Sequence, residues 1–186
     1  MNFAKHYNLK DQHALLGASK FQWIRYSDEK IADLYFATKA KEEGTRIHAL
    51  ASELIKLGIK LPDIKKTLNL FVNDAIGYKM ESEQVLYYSL NCFGTADAIC
   101  FRNNKLRIHD LKTGKTPTHF EQLEIYAALF CLEYDFKPSD IDIELRIYQS
   151  NDILVMEPET DDIVPIMDRI ITADKIISKI QLEENW

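Results

Sequence analysis

The sequence predicts an α/β fold of mixed α+β character: a central mixed sheet of about five strands flanked by helices, with extra helices toward the N-terminus. Three observations predict it. Apolar residues recur at helical spacing through the first third of the chain. From Glu83 the period changes to two, the spacing of a strand with one face inward. A helical stretch over 118–133 then separates three strands from two more, and a last helix closes the order.

Residues 13–23 read as a loop entering a short helix, with Ser19 as a candidate cap. Ser27-Asp28-Glu29 reads as a helix start with acids in the first turn. A further helix covers 39–57, with Ile47, Leu50, Ala51 and Leu54 as its apolar stripe and Gly58 as its stop. Leu61-Pro62-Asp63 opens another, with Ile64, Leu68, Phe71, Val72 and Ala75 inward, ending near Gly77. Strands follow at 85–90, 94–98 and 105–112, the last two joined by the polar turn Arg102-Asn103-Asn104-Lys105. After the helix at 118–133 come strands at 141–148 and 153–156. The final helix begins near Asp161 or Asp162, because Pro165 lacks a donor and fits an early turn.

Composition narrows the classes. No apolar run approaches the ~20 residues of a membrane span, and residues 1–12 lack the apolar core of a signal peptide, so no membrane partner and a cytoplasmic location are expected. Three cysteines without CxxC spacing fit neither a four-cysteine cluster nor a disulfide framework; they read as small buried apolar residues. The net charge of -6 is unevenly spread: residues from Glu133 onward carry -9 and those before it +3. Between Arg102 and Lys115, five basic residues face the single acid Asp110, a strip able to attract phosphates or to defend a strand edge.

The chemistry concentrates in residues 94–126. If the strands carrying Asp97 and Asp110 pair as a hairpin, the two carboxylates face each other, and such a pair repels unless a cation lies between. Lys112 points the same way as Asp110, with Leu111 between them, and supplies one positive charge. A hard divalent ion held by oxygens is the economical second one. The same residues also read as a hairpin with a surface salt bridge. Gln122 and Tyr126 lie four apart on one helix face and can act together. His109 points to the opposite strand face from Asp110, and His119 reads as exposed.

Gly94-x-x-Asp97, Asp110-x-Lys112 and Gln122-x-x-x-Tyr126, preceded by Gly44-Thr45-Arg46-Ile47-His48 on a helix, resemble the PD-(D/E)XK nuclease superfamily, and within it the RecB-like, phage-type exonuclease branch. The resemblance covers about residues 13–150. The first acidic motif lacks its Pro-Asp form, and an Asp stands where the second often has Glu; the cysteine count excludes the iron–sulfur version.

The resemblance implies a restriction-endonuclease-like core in a single nuclease domain over 1–186, helical over residues 1–80 and with its catalytic core over 81–186. It implies Mg2+ or Mn2+ held by His48, Asp97, Asp110 and the backbone carbonyl of Leu111. Lys112 would orient the attacking water, Gln122 would orient Lys112 or that water, and Tyr126 would meet a DNA phosphate. Lys115, Thr116, Ser19 and Arg102 are candidate DNA contacts. The implied reaction is hydrolysis of DNA phosphodiester bonds leaving a 5′-phosphate, by an exonuclease acting on double-stranded or single-stranded ends in phage or mobile-element recombination or repair. A homo-oligomer, ring-shaped in some relatives, belongs to the same implication. A catalytically idle nuclease-fold protein that binds DNA or a protein partner is the alternative.

Overall fold

The computed structural model describes residues 3–10, 12–114 and 116–184. Its elements divide between two compact units, Met1–Thr45 and Arg46–Trp186. In the first, 3-10 helices at Tyr7–Leu9 and Ala18–Arg25 precede the start of α1 (Asp28–Leu57). Ser27 caps α1, its Oγ accepting the Lys30 N–H at 3.3 Å. Gly17, not Ser19, flanks the Ala18–Arg25 helix; Trp23 is half-buried and donates its indole N–H to the Gly17 carbonyl at 3.1 Å.

The two helices expected around 27–35 and 39–57 are one. Nothing between them breaks a helix, and Gly44 alone costs only ~1 kcal/mol relative to Ala. Gly58 ends α1 at φ +66°, where the Ile59 N–H returns to the Leu54 carbonyl at 2.9 Å and the Gly58 N–H to that of Ile55 at 3.1 Å.

The second unit continues with α2 (Thr67–Gly77), β1 (Glu81–Ser89), β2 (Cys92–Arg102), β3 (Lys105–Leu111), α3 (Glu121–Tyr134), β4 (Asp142–Gln149), β5 (Asp152–Met156) and α4 (Thr160–Glu184). Helix α2 starts later than the sequence suggests, because side-chain amides hold the segment before it in a turn. Asn73 accepts the Leu61 N–H at 2.8 Å and donates to its carbonyl at 2.9 Å, and Asn69 donates to the Pro62 carbonyl at 2.8 Å. Ile64, expected inward, is exposed. Pro165 falls in the second turn of α4, where it forfeits one helical hydrogen bond.

The five strands form one mixed sheet in the order β1-β2-β3-β4-β5. Every neighbouring pair is antiparallel except β3 and β4, which are parallel, and α3 is the crossover that a parallel pair requires. The polar turns Asn103-Asn104 and Ser150-Asn151 have positive φ at both residues, the backbone that suits two-residue hairpins.

Each face of the sheet has its own helices. Leu106, Ile108, Leu145 and Ile147 meet α3 and α4 through Leu123, Ala127 and Ile163. Ala98, Cys100, Leu111 and Tyr148 meet Ala51 and Ile55 of α1 and Phe71, Val72 and Ala75 of α2. Complete burial of a Leu or Ile contributes about 1.5–3 kcal/mol, so these two layers hold the strands that carry the site. Helix α4 spans ~37 Å against ~21 Å for α3, so its last turns outrun their partner. Ile177 and Ile180 are accordingly exposed. Cys100 and Cys131 are buried, Cys92 is half-buried, and all three are free. No described helix is long and apolar enough to cross a membrane.

His109 lies on the α2 face, opposite to its neighbour Asp110, and is fully buried. The Tyr148 hydroxyl donates to Asp74 at 2.7 Å and therefore accepts from His109 Nδ1 at 3.1 Å, which fixes the imidazole tautomer. Nε2 is left buried without a hydrogen-bond partner among the described residues. Burial, aided by the Arg146 guanidinium, lowers the imidazole pKa to about 3. An unfolded histidine titrates near ~6.5, so between that pH and about 3 the unfolded chain binds a proton that the folded chain refuses. Stability should fall by about 1.4 kcal/mol per pH unit on acidification through this window, beyond other groups' contributions. Denaturant titrations from pH 7 to pH 4 check this: His109→Leu is expected to lose that share of the pH dependence.

Candidate active site

The site forms where β2 separates from β3. Ala98 opposite His109 is the last ladder pair on that side; one step further stand Asp97 and Asp110. Here the Asp97 carboxylate enters the gap, Oδ2 accepting the Leu111 N–H at 2.8 Å. Its other oxygen lies 3.2 Å from Nδ1 of His48 on α1. The hydrogen bond to Asp97 holds the His48 imidazole above its ordinary pKa, against the opposing effect of burial.

The register of β1 on β2 places Glu83 opposite Asp97, between the pairs Ser82–Ala98 and Gln84–Ala96. Glu83 has φ +53° inside a strand. A left-handed backbone costs a side-chain-bearing residue roughly 1–2 kcal/mol. The alternation of faces is interrupted at the same level of β2: Ala98 packs toward α1 and α2, whereas Ala96, two residues away, packs with α3. One ligand atom each from His48, Glu83 and Asp97 lie within 4.8 Å of one another.

Asp110 occupies the α3 face and is 3% exposed. Lys112 Nζ donates to its Oδ1 at 3.1 Å and lies 2.9 Å from Oδ2, yet Oδ2 is buried without a hydrogen bond among the described residues. Burial first, and then the Asp97 charge, raise the Asp110 pKa; Lys112 and His48 act against them. The same Lys112 nitrogen donates to Gln122 Oε1 at 2.8 Å, and Gln122 Nε2 donates to the Tyr126 oxygen at 3.0 Å. That direction leaves the Tyr126 hydroxyl hydrogen free to donate onward. The Tyr126 ring requires Gly94: a Cβ at position 94 would lie 2.7 Å from a ring carbon.

These donors fit a hard divalent cation. Two carboxylates and an imidazole converge, and a buried Asp110 carboxylate oxygen makes no hydrogen bond among the described residues. The structure adds a residue to those the motifs implied. His48 and Asp97 are joined by Glu83, Asp110 is tied to Lys112, and Leu111 meets Asp97 through its amide N–H. No motif spacing marks Glu83; the strand register and the positive φ single it out.

Compared with protein-family models, with curated proteins and with solved structures, the chain gives no match.

Two of the candidate DNA contacts, Arg102 and Thr116, are described residues of the Arg46–Trp186 unit. Arg102 lies five residues along β2 from Asp97, about 16 Å by strand rise, and donates to the Lys79 carbonyl. Within the basic strip, Lys105 pairs with Glu144 at 3.0 Å and Glu157 at 2.8 Å, and Arg107 pairs with Glu144 at 3.2 Å, so much of its charge is neutralised. The Thr116 side chain is exposed, and its carbonyl accepts from Gln149 at 2.9 Å. Lys115 lies outside the described residues. Ser19 belongs to the Met1–Thr45 unit and is exposed.

Glu83 permits a test that separates a ligand from a structural residue. Glu83→Gly removes the left-handed strain and is expected to raise stability by up to about 1 kcal/mol. It should also weaken Mn2+ binding by about tenfold or more. Thermal unfolding and calorimetric Mn2+ titration measure the two effects. Unchanged Mn2+ affinity would remove Glu83 from the ligand set.

Proposed function

We propose that this chain is an Mg2+- or Mn2+-dependent deoxyribonuclease that hydrolyses phosphodiester bonds. The observation that carries the proposal is the Lys112 ammonium, held between buried Asp110 and Gln122 beside the His48–Glu83–Asp97 group. The resemblance in motif order supports the nuclease reading and adds its narrower form: an exonuclease acting on DNA ends in phage or mobile-element recombination or repair, in the cytoplasm.

His48, Glu83 and Asp97 would hold the cation, with the Asp110 carboxylate at its side. When bound, it supplies Lewis-acid polarisation of a phosphoryl oxygen and acidifies water. The chain's own groups do the rest. An ammonium has three donors; Asp110 and Gln122 engage Lys112 and leave one N–H for a phosphoryl oxygen, where negative charge grows during attack. Gln122 fixes the direction of that ammonium. The Tyr126 hydroxyl, its oxygen already accepting from Gln122, donates to a phosphate. Asp110, kept from water, holds Lys112 as a charge at a fixed point rather than a mobile one.

Incubating linear, nicked and circular DNA with magnesium, manganese or chelator tests the proposal. Wild type is expected to degrade linear DNA with either metal and not with chelator. Asp110→Asn and Lys112→Ala should each lower kcat/KM by about a hundredfold or more. Because burial disfavours the Asp110 charge, Asp110→Asn should be at least as stable as wild type; a large loss of stability would instead mark Asp110 as a structural ion-pair partner. DNA binding without cleavage in either metal would establish the idle, DNA-binding alternative.

A further inference from the structure

Helix α4 changes its manner of packing along its length. Its first half turns apolar residues inward: Ile163 and Ile170 are buried in the layer shared with α3 and the sheet. Beyond Ala173 the inward side becomes polar. Asp174 accepts from Ser89 Oγ at 2.6 Å and from Asn91 Nδ2 at 2.9 Å, and Gln181 Nε2 donates to Asn91 Oδ1 at 3.2 Å. The turn between β1 and β2 therefore holds this end of α4 through hydrogen bonds. Ala173, Ile176, Ile177 and Ile180 lie roughly 60–160° further round the helix, all to one side of Asp174. Their spacing, i, i+3, i+4 and i+7, is that of a stripe made to be covered. Yet Ile176 is 52% exposed, Ile177 38% and Ile180 47%.

We propose that this stripe is the contact by which two copies of the chain associate, their α4 helices packing antiparallel about a two-fold axis between Ile176 and Ile177. Two features fit a second copy. The stripe is symmetric about that point: turned end for end, it sets Ile176 against Ile177 of the other copy, and Ala173 against Ile180, a small residue against a large one. The charges at its ends follow the same symmetry. Arg169 and Glu183 are exposed, stand seven residues to either side of Ile176, and lie on the same flank of the stripe. An antiparallel pair brings each Arg169 to the Glu183 of the other copy, twice over, whereas a parallel pair would set like charges together. Arg169 makes no ion pair among the described residues, and Glu183 meets the exposed Lys179 at 3.9 Å, an i,i+4 contact that contributes little. A two-fold contact is satisfied at two copies and does not propagate into a ring.

Sedimentation equilibrium of the full chain from about 1 to about 200 μM measures the association. Six half-exposed isoleucines form a contact at the small end of specific interfaces. Wild type is therefore expected to pass from monomer to dimer with a dissociation constant on the order of 10 μM and without larger species. Ile176→Lys places charge in the middle of the contact and should weaken the dimer by about tenfold or more. The position is exposed, so its thermal unfolding at low concentration should match wild type. Arg169→Glu and Glu183→Arg should each weaken association severalfold, and the double variant should regain it. That recovery separates an oriented contact from adhesion of apolar surface in general. A wild type that stays monomeric throughout the range, or an Ile176→Lys variant that dimerises as tightly, would overturn the proposal. So would a double variant no better than the single ones, or assemblies of three or more copies.

Discussion

Two carboxylates share a gap between strands, and much of the second unit serves that arrangement. Asp97 takes the Leu111 N–H with a side-chain oxygen, so β2 and β3 stop pairing where the acids meet. Mutual repulsion and burial both oppose the ionised Asp110. The surroundings answer with partners placed by separate elements: His48 from α1, against Asp97, and the Lys112 ammonium from the end of β3, against Asp110. Gln122 from α3 then fixes the lysine. Helices α1 and α3 are each anchored by their own apolar layer, so these partners arrive through packing on both faces of one sheet.

Strand β3 shows how closely unlike environments can be set side by side. Adjacent residues point to opposite faces, so His109 enters a closed polar network with Tyr148, Asp74 and Arg146 while Asp110 enters the site. Burial acts on both and gives opposite shifts, each toward the neutral form: it lowers the imidazole pKa and raises that of the carboxyl. The histidine stays uncharged and braces the sheet, whereas the carboxylate is drawn toward ionisation by the Lys112 ammonium beside it. Glu83 adds a second local conflict, an unfavourable backbone kept inside a strand that brings its carboxylate toward Asp97 and His48. Strain of this kind persists only where the ladder around it determines the conformation.

Charge in the sequence was a poor guide to charge available at the surface. The strip from Arg102 to Lys115 looks basic when read along the chain, but the parallel pairing of β3 with β4 sets Glu144 beside Arg107 and Lys105. Lys66, in a segment with no motif, is exposed and lines a cleft together with Lys112. Sequence distance hides both facts, because Glu144 and Lys66 reach their positions only through tertiary contacts.

By itself the sequence determined the five strands and the helices after them, their order, the sheet's mixed character, and the juxtaposition of Asp97, Asp110 and Lys112, because these follow from periodicity and from one tight hairpin turn. It also placed Gln122 and Tyr126 together, since four residues make about one helical turn. Only the tertiary structure decided that Glu83 joins His48 and Asp97, that Gly94 makes room for Tyr126, and that α2 starts at Thr67 rather than near Pro62. The register between β1 and β2, the approach of α3 to the sheet and the grip of Asn69 and Asn73 on the preceding turn are contacts across sequence distance. No local pattern encodes them; they exist only once the layers have packed.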